Sequence, residues 1–369
     1  MKTVLVTSQF APEVGGVPRL LWAYSQNRPQ TVSLRVLSVQ QQPTSFYADF
    51  DARAPFPIDR VPPGRKRGAT SLDFLRRFGR IVRQWQPDIA LSGVAYPTAI
   101  LARLIHLIYR LPYVVYAHSE DVTIGRPLAR WGLGWALRGA TAVLTVSQFT
   151  VNELRKLGVP PERIHLVSPG IDVQPFTEAH PHAAWPGKWV LLTVARLVAR
   201  KGQDTVIRAL PQVLKSVPNA HYVIVGGGPD EAYLRQLAAE LGVAGHVTFA
   251  GHVADAELPA YYARCDAFAM LTRQGAGEVE GFGITFLEAG AAGKPVIGGQ
   301  AGGVADAVAN GVTGLLVDPL DGRAVAEAIT RLARDPALAQ RMGAAGRARV
   351  LENYTTAVFA RKVTAVLEM

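Results

Sequence analysis

A chain of 369 residues is longer than one ordinary core accommodates, and it points to two domains. With 49% hydrophobic and 18% charged residues the composition excludes disorder, and a single cysteine, Cys265, excludes an internal disulfide framework and fits a reducing compartment. The formal charge of +10 is held unevenly: up to Ser168 there are 21 Lys and Arg against 10 Asp and Glu, and beyond it 18 against 19, so the first half is expected to meet an anionic partner.

The first residues, MKTVLVTSQF, enter a strand-like run directly and carry no signal-peptide cleavage site. No apolar stretch reaches the ~18 residues that span a bilayer. The expected location is cytoplasmic, either free or peripheral on the inner face of the cell membrane. Along the first half, KTVLVTS, DIALSG, YVVYAH, AVLTVS and IHLVSP read as strands, with helices near 17–27, 97–110, 127–138 and 148–157. The second half repeats the alternation with WVLLTVA, HYVIVGG, VTFAG, AFAML, PVIGG and GLLVD. Apolar strands alternating with helices of this length imply parallel sheets covered on both faces, an α/β fold of two Rossmann-like domains with five or six strands each. The Pro- and Gly-rich segment 168–187 is the linker candidate. The domains are expected at 1–168 and 169–352, with 353–369 a C-terminal helix that crosses back to the first. Two such domains facing each other leave a cleft at the carboxyl ends of both sheets, where open α/β folds bind ligands.

The loops at those strand ends carry the chemistry. After the first strand, Gly15 and Gly16 open a helix with no side chain to keep an anion from the backbone N–H groups, although a tight strand-to-helix turn would use the same pair. In TVARLVARKG (193–202), Arg196 and Lys201 share one loop and can grip a diphosphate; surface solvation is the competing reading. VIVGGGPD is not G-x-G-x-x-G and reads first as punctuation, with a minor role as a ligand wall. In VTFAGHV, the backbone of His252 and Val253 can read a base edge.

The run EVEGFGITFLEA (278–289) sets two carboxylates, Glu280 and Glu288, around Gly281, Phe282, Gly283 and Ile284. A helix starting near Ile284 presents bare glycine amides at its N-terminus, which favours phosphate. The two glutamates would repel that phosphate unless each accepts hydrogen bonds from hydroxyls, as sugar diols provide.

The EGFGITFLE run, the RLVARKG loop, the VGGGPD turn and the AGGVADAV and NGVTGLLVDP segments together resemble retaining, GT-B-fold glycosyltransferases of family 4, above all GDP-mannose-dependent phosphatidylinositol mannosyltransferases and related lipid-acceptor enzymes. The likeness runs from GGVPRL to the end and is densest from Thr193 to Pro319. It implies that the first domain binds the acceptor and the second the nucleotide sugar. It further implies that Arg196 and Lys201 hold the donor diphosphate and that Glu288 holds the ribose. Glu280 and the backbone of Gly281–Ile284 would take the sugar hydroxyls, Gly16 the phosphate across the cleft, and His118 would sit by the transferring sugar. Three departures stand out: His118-Ser119-Glu120-Asp121 replaces a His-Gly-x-Glu, Asp306 stands where a Glu after Pro is common, and SPGID replaces an Asn-Gly linker.

The implied reaction is transfer of a hexose, mannose or glucose, from a GDP- or UDP-linked donor to a hydroxyl acceptor, lipid-linked or phosphorylated. The cations of one loop and a helix N-terminus stabilise the leaving diphosphate, so no divalent metal and no further cofactor is expected, and no metal-spaced His/Cys/Asp cluster is seen. With no carboxylate nucleophile in view, front-face transfer within an ion pair is expected. In segment 60–85, Leu72, Leu75, Phe78 and Val82 form a stripe, with Arg76, Arg80 and Arg83 off it and Arg65-Lys66-Arg67 beside it. This is either a basic amphipathic helix for an anionic membrane or an ordinary cover helix with an Arg-rich solvent face. Nucleic acid is not expected as a partner, because the basic segments lack interleaved aromatics. The competing functions are a UDP-sugar 2-epimerase-like enzyme and a non-enzymatic nucleotide-sugar-binding protein.

Overall fold

The computed structural model describes residues 1–64, 68–275 and 279–369. The chain divides into two compact units, Met1–Gly170 together with Thr356–Met369, and Ile171–Thr355.

The first unit holds β1 (Lys2–Thr7), β2 (Ser33–Val39), β3 (Ile58–Val61), β4 (Ile89–Ser92), β5 (Tyr113–Ala117), β6 (Ala142–Thr145) and β7 (Ile164–Leu166). They pair in the order β3-β2-β1-β4-β5-β6-β7, all parallel. β4, β5 and β6 are buried along their whole length, as expected for strands covered on both faces. This sheet exceeds the expected five or six strands because β2 and the edge strand β3 were not among the expected ones. Arg35 of β2 pairs with Asp59 of β3 at 2.7 Å, so their outer face reads as loop-like in sequence. The helix Thr356–Leu367 returns to this unit and stacks Phe359 against Tyr116, with ring centroids 6.0 Å apart.

The helix Ala69–Trp85 decides between the two readings of its apolar stripe. Phe74, Phe78 and Ile81 are buried in the core of the first unit, and Leu75, Val82 and Trp85 pack against it. Leu72, expected on that stripe, is half exposed. Apart from Leu72, the apolar side therefore covers its own sheet, and the face with Arg76, Arg80 and Arg83 meets solvent. Of the two readings this helix fits the cover helix, because the apolar half that a membrane anchor would need is already used. Arg65, Lys66 and Arg67 lie outside the described residues.

The second unit holds β8 (Trp189–Val194), β9 (Ala220–Val225), β10 (Val247–Gly251), β11 (Ala267–Met270), β12 (Val296–Gly299) and β13 (Gly314–Val317). They pair in the order β10-β9-β8-β11-β12-β13, again all parallel. Its core gathers Leu210, Tyr222, Ile224, Leu271, Ile297 and Ile329 from strands and covering helices. The Pro- and Gly-rich segment before β8 is packed rather than loose. Phe176 meets Tyr262 edge-on at 5.5 Å, and the His182 N–H donates to the Ala260 carbonyl at 3.0 Å. Among the described residues, no helix is long and apolar enough to cross a membrane.

Candidate functional site

In the second sheet the strand order reverses at β8, which has β9 on one side and β11 on the other. Connections then depart to opposite faces and leave the carboxyl ends of β8 and β11 uncovered, the usual ligand position in an open α/β sheet. β8 runs out into the loop of Arg196 and Lys201, and β11 runs out towards Glu280.

The first of these loops is a tight piece of backbone. Ala199–Lys201 makes a single 3₁₀ turn, closed by Gly202 at φ +72°. A Cβ on Gly202 would stand 2.0 Å from the Leu271 carbonyl oxygen, so this residue must be glycine for the two loops to pass so closely. The Arg273 N–H donates to the Arg200 carbonyl at 2.9 Å, and the Arg273 guanidinium reaches Asp204 at 3.1 Å. The loops are thereby stitched at two further points.

That stitching brings three charges together. Lys201 Nζ is ion-paired with Glu280 Oε2, and Arg200 Nη1 lies 3.4 Å from the same oxygen. All three side chains are only 12–13% exposed. At an effective dielectric of about 20, opposite charges this close attract by roughly 5 kcal/mol before desolvation is subtracted. Desolvation removes much of that gain, so the cluster serves to place charge more than to stabilise the fold. Arg196 differs: its carbonyl accepts from Gln203 Nε2 and from the Val198 N–H, each at 3.0 Å, while the residue is exposed.

The turn after Glu280 is held by the Gly303 N–H, which donates to the Glu280 carbonyl at 2.9 Å. Gly281 and Ile284 are half-buried, and Gly283 caps the helix Ile284–Ala291 without any side-chain hydrogen bond. The first amides of that helix are therefore presented by bare backbone. Phe282 points its ring into the protein, 5.7 Å from Tyr354, and so offers a ligand only its backbone. Glu278 lies outside the described residues.

Glu288 is buried one helical turn further in, and the Tyr262 hydroxyl donates to its Oε2 at 2.7 Å. Tyr262, the partner of this candidate residue, was missed in the sequence, because nothing near it marks the distant carboxylate it will meet. Val253 is buried just beyond β10, next to an exposed His252. The glycine-rich turn after β9 forms a wall of the Arg196 loop. The Leu197 N–H donates to Gly227 at 3.0 Å, and the Asp230 N–H donates to Leu197 at 3.2 Å.

The first unit shows a parallel arrangement. There the order reverses at β1, between β2 and β4. Gly15 and Gly16 are exposed in the loop after β1, with Gly16 starting the helix Gly16–Asn27. His118 follows β5, and its Nε2 lies 3.1 Å from the carbonyl of Gly93, just beyond β4. A carbonyl can only accept, so the ring carries its proton on Nε2. The departure His-Ser-Glu-Asp is answered by Asp121, whose Oδ2 accepts from the Ala95 N–H at 2.9 Å and the His118 N–H at 3.4 Å. Glu120 is exposed.

Burial pushes the Asp121 carboxyl above its usual range, against the opposing pull of His118 and the two backbone donors. A carboxyl raised in the folded state adds stability below its unfolded value near 3.8, and that contribution is lost as pH rises through the folded value. Asp121→Asn lacks this titration. The stability of Asp121→Asn minus that of the native protein should therefore grow as pH rises across that window and then level off. Urea unfolding at a series of pH values checks the sign.

Among the described residues, no group of three or more His, Cys, Asp or Glu side chains is placed to hold a metal ion. Cys265 is buried and its thiol is pushed up to about 12 by burial, so it is no nucleophile near neutral pH.

Comparisons with known proteins place the chain in a family and a fold. Residues 176–349 match the family model for glycosyl transferases group 1, and residues 14–175 match that for glycosyltransferase family 4. The chain is 34% identical over 361 residues to the GDP-mannose-dependent alpha-(1-6)-phosphatidylinositol monomannoside mannosyltransferase of Mycolicibacterium smegmatis, covering 95% of this chain and 94% of that protein. It is 32% identical over 380 aligned positions to the corresponding enzyme for the monoacylated monomannoside in Corynebacterium glutamicum, covering 100% and 98%. Among solved structures, Anabaena Alr3699/HepE in complex with UDP superposes with a TM-score of 0.83 at 20% identity, covering the whole of both chains. That likeness shows the fold: α/β, GT-B, with two Rossmann-like parallel sheets.

Proposed function

Because the chain belongs to the glycosyltransferases of group 1 and family 4, we propose that it transfers mannose from GDP-mannose to a hydroxyl of a phosphatidylinositol-type lipid acceptor, with retention at the anomeric carbon. One observation carries the reading. Lys201 and Arg200 converge on Glu280 where β8 and β11 leave their sheet, beside an uncapped helix N-terminus. Cations and bare amides suit a diphosphate, and a carboxylate among them suits sugar hydroxyls. The likeness to GDP-mannose-dependent enzymes favours guanine over uracil and mannose over glucose.

In this reading the second unit binds the donor and the first the acceptor. Arg196 and Lys201 neutralise the diphosphate as it leaves, with the amides of Gly281–Ile284 beside it. Glu280 accepts from the sugar hydroxyls and Glu288 from the ribose, with Val253 near the base. Gly15, Gly16 and His118 are the first unit's contribution to substrate binding. The acceptor hydroxyl enters on the face the diphosphate leaves, within an ion pair, and its proton passes to the departing phosphate oxygen. The cationic loop supplies the charge that a divalent ion would otherwise bring. Exposed Arg76, Arg80 and Arg83 favour peripheral attachment to an anionic membrane through charge alone.

The test is mannosyl transfer from GDP-mannose to phosphatidylinositol and its mannosides in detergent micelles, against a panel of other nucleotide sugars. A mannolipid with an α-linkage, formed at an unchanged rate in EDTA, is the expected result. Loss of turnover in EDTA would overturn the metal-independent step. An epimerised sugar would instead support the 2-epimerase-like reading, and no consumption of any donor would support a binding protein.

A further inference from the structure

We propose that Arg200 is a positioning residue for Glu280: it keeps that carboxylate in place when Lys201 turns from it to the donor diphosphate. The inference rests on the donor-site reading above and adds a residue that the sequence pattern does not mark.

Two cations address one oxygen. Lys201 Nζ and Arg200 Nη1 both approach Glu280 Oε2, and neither addresses Oε1. For a carboxylate in a loop, one cation would satisfy the charge. The second can hold the carboxylate when the first is drawn to another task. A diphosphate carries more charge than a carboxylate, so the mobile ammonium of Lys201 is drawn towards it when the donor arrives.

A Glu280 left alone at that moment would be an unpaired, largely buried carboxylate beside an anion, and it would be driven out of place or would repel the donor. Arg200 prevents this. Its backbone is fixed through its carbonyl, which accepts from the Arg273 N–H at 2.9 Å, and its side chain is only 12% exposed. Its planar fork gives a direction as well as a charge. Glu280 is anchored independently through its own carbonyl by the Gly303 N–H at 2.9 Å. The carboxylate is thus restrained at both its backbone and its side chain, while Lys201 remains available.

The alternative is that Arg200 binds phosphate directly, and calorimetry separates the two. GDP, or the nucleoside diphosphate of whichever donor the panel identifies, has phosphates but no hexose. The inference requires Arg200→Gln to hold GDP affinity within about twofold while weakening GDP-mannose about tenfold and lowering kcat. Arg200→Lys, which keeps the charge but not the planar fork, should recover only part of that loss. The double variant with Glu280→Gln should bind the donor no worse than Glu280→Gln alone, since Arg200 acts through that carboxylate.

Equal weakening of GDP and GDP-mannose would overturn the proposal in favour of a direct phosphate contact. Losses that simply multiply in the double variant would also overturn it. If Arg200→Gln fails to fold, as judged by its thermal transition, the same comparison is made on Arg200→Lys. A smaller loss confined to GDP-mannose then supports the proposal, and a loss shared by both ligands defeats it. Native protein that binds neither ligand would remove the donor-site reading itself, a result distinct from any pattern among the variants.

Discussion

Replacing Lys201 by alanine is expected to lower turnover by about 10²–10³-fold, the usual cost of removing one preorganised charge from a developing anion. The side chain sits where β8 meets β11, and the proposed chemistry asks it to neutralise the diphosphate as the glycosidic bond breaks. Glu280→Gln should fall in the same range by a different route. The substitution keeps the shape but removes the charge that hydroxyl donors and Arg200 both recognise. Lys201→Ala leaves Glu280 its Arg200 partner and should stay folded, whereas Glu280→Gln leaves two largely buried cations without their carboxylate and should lower the thermal transition as well. Steady-state rates at saturating donor, with thermal transitions as the folding control, check both. A fall of less than tenfold for Lys201→Ala, with folding intact, would place the diphosphate elsewhere.

The largest effect on stability is expected at Gly202. Its φ of +72° strains any other residue by about 1–2 kcal/mol. The clash adds to this, because a Cβ 2.0 Å from the Leu271 carbonyl oxygen cannot be relieved by a rotamer change and one of the two loops must move. Gly202→Ala is therefore expected to cost about 3–5 kcal/mol and to lower the melting transition of the second unit by on the order of 10 °C. Gly242 supplies the control. It has φ +68° but open space around its Cβ position, so Gly242→Ala carries the strain without the clash and should cost about 1 kcal/mol. Similar losses at the two positions would show that the close approach contributes nothing.

The buried strands were legible because an apolar run such as YVVYA or AVLTV can settle only between two helical layers. β2 and β3 were not, since Arg35 interrupts the apolar run of β2 and the short edge strand β3, with Asp59 and Arg60, looks like loop. The stripe on Ala69–Trp85 was misphased: Leu72 looked apolar enough to face inward, yet Phe74 and Ile81 occupy that side. At the site, Lys201 and Glu280 could be named from their loops. Their meeting could not, because it depends on β8 and β11 being neighbours although 79 residues separate the pair. Arg200 and Tyr262 were missed for the same reason. Arg200 lies beside Lys201 in the chain, but only the sheet order brings it to Glu280, and Tyr262 meets Glu288 through packing alone.

The return of Thr356–Met369 to the first unit bears on how the protein is made. Phe359, Ala360 and Val363 fill a place in that unit that Met1–Gly170 cannot fill by itself. On the ribosome, everything from Ile171 to Thr355 must be synthesised before this last helix emerges, a wait of roughly 10–40 s at ordinary elongation rates. The nascent first unit spends that interval with an open apolar seam, and the second is complete only as the interval ends. The half that begins first is thus the half that finishes last, and the interval is when a chaperone has most to do.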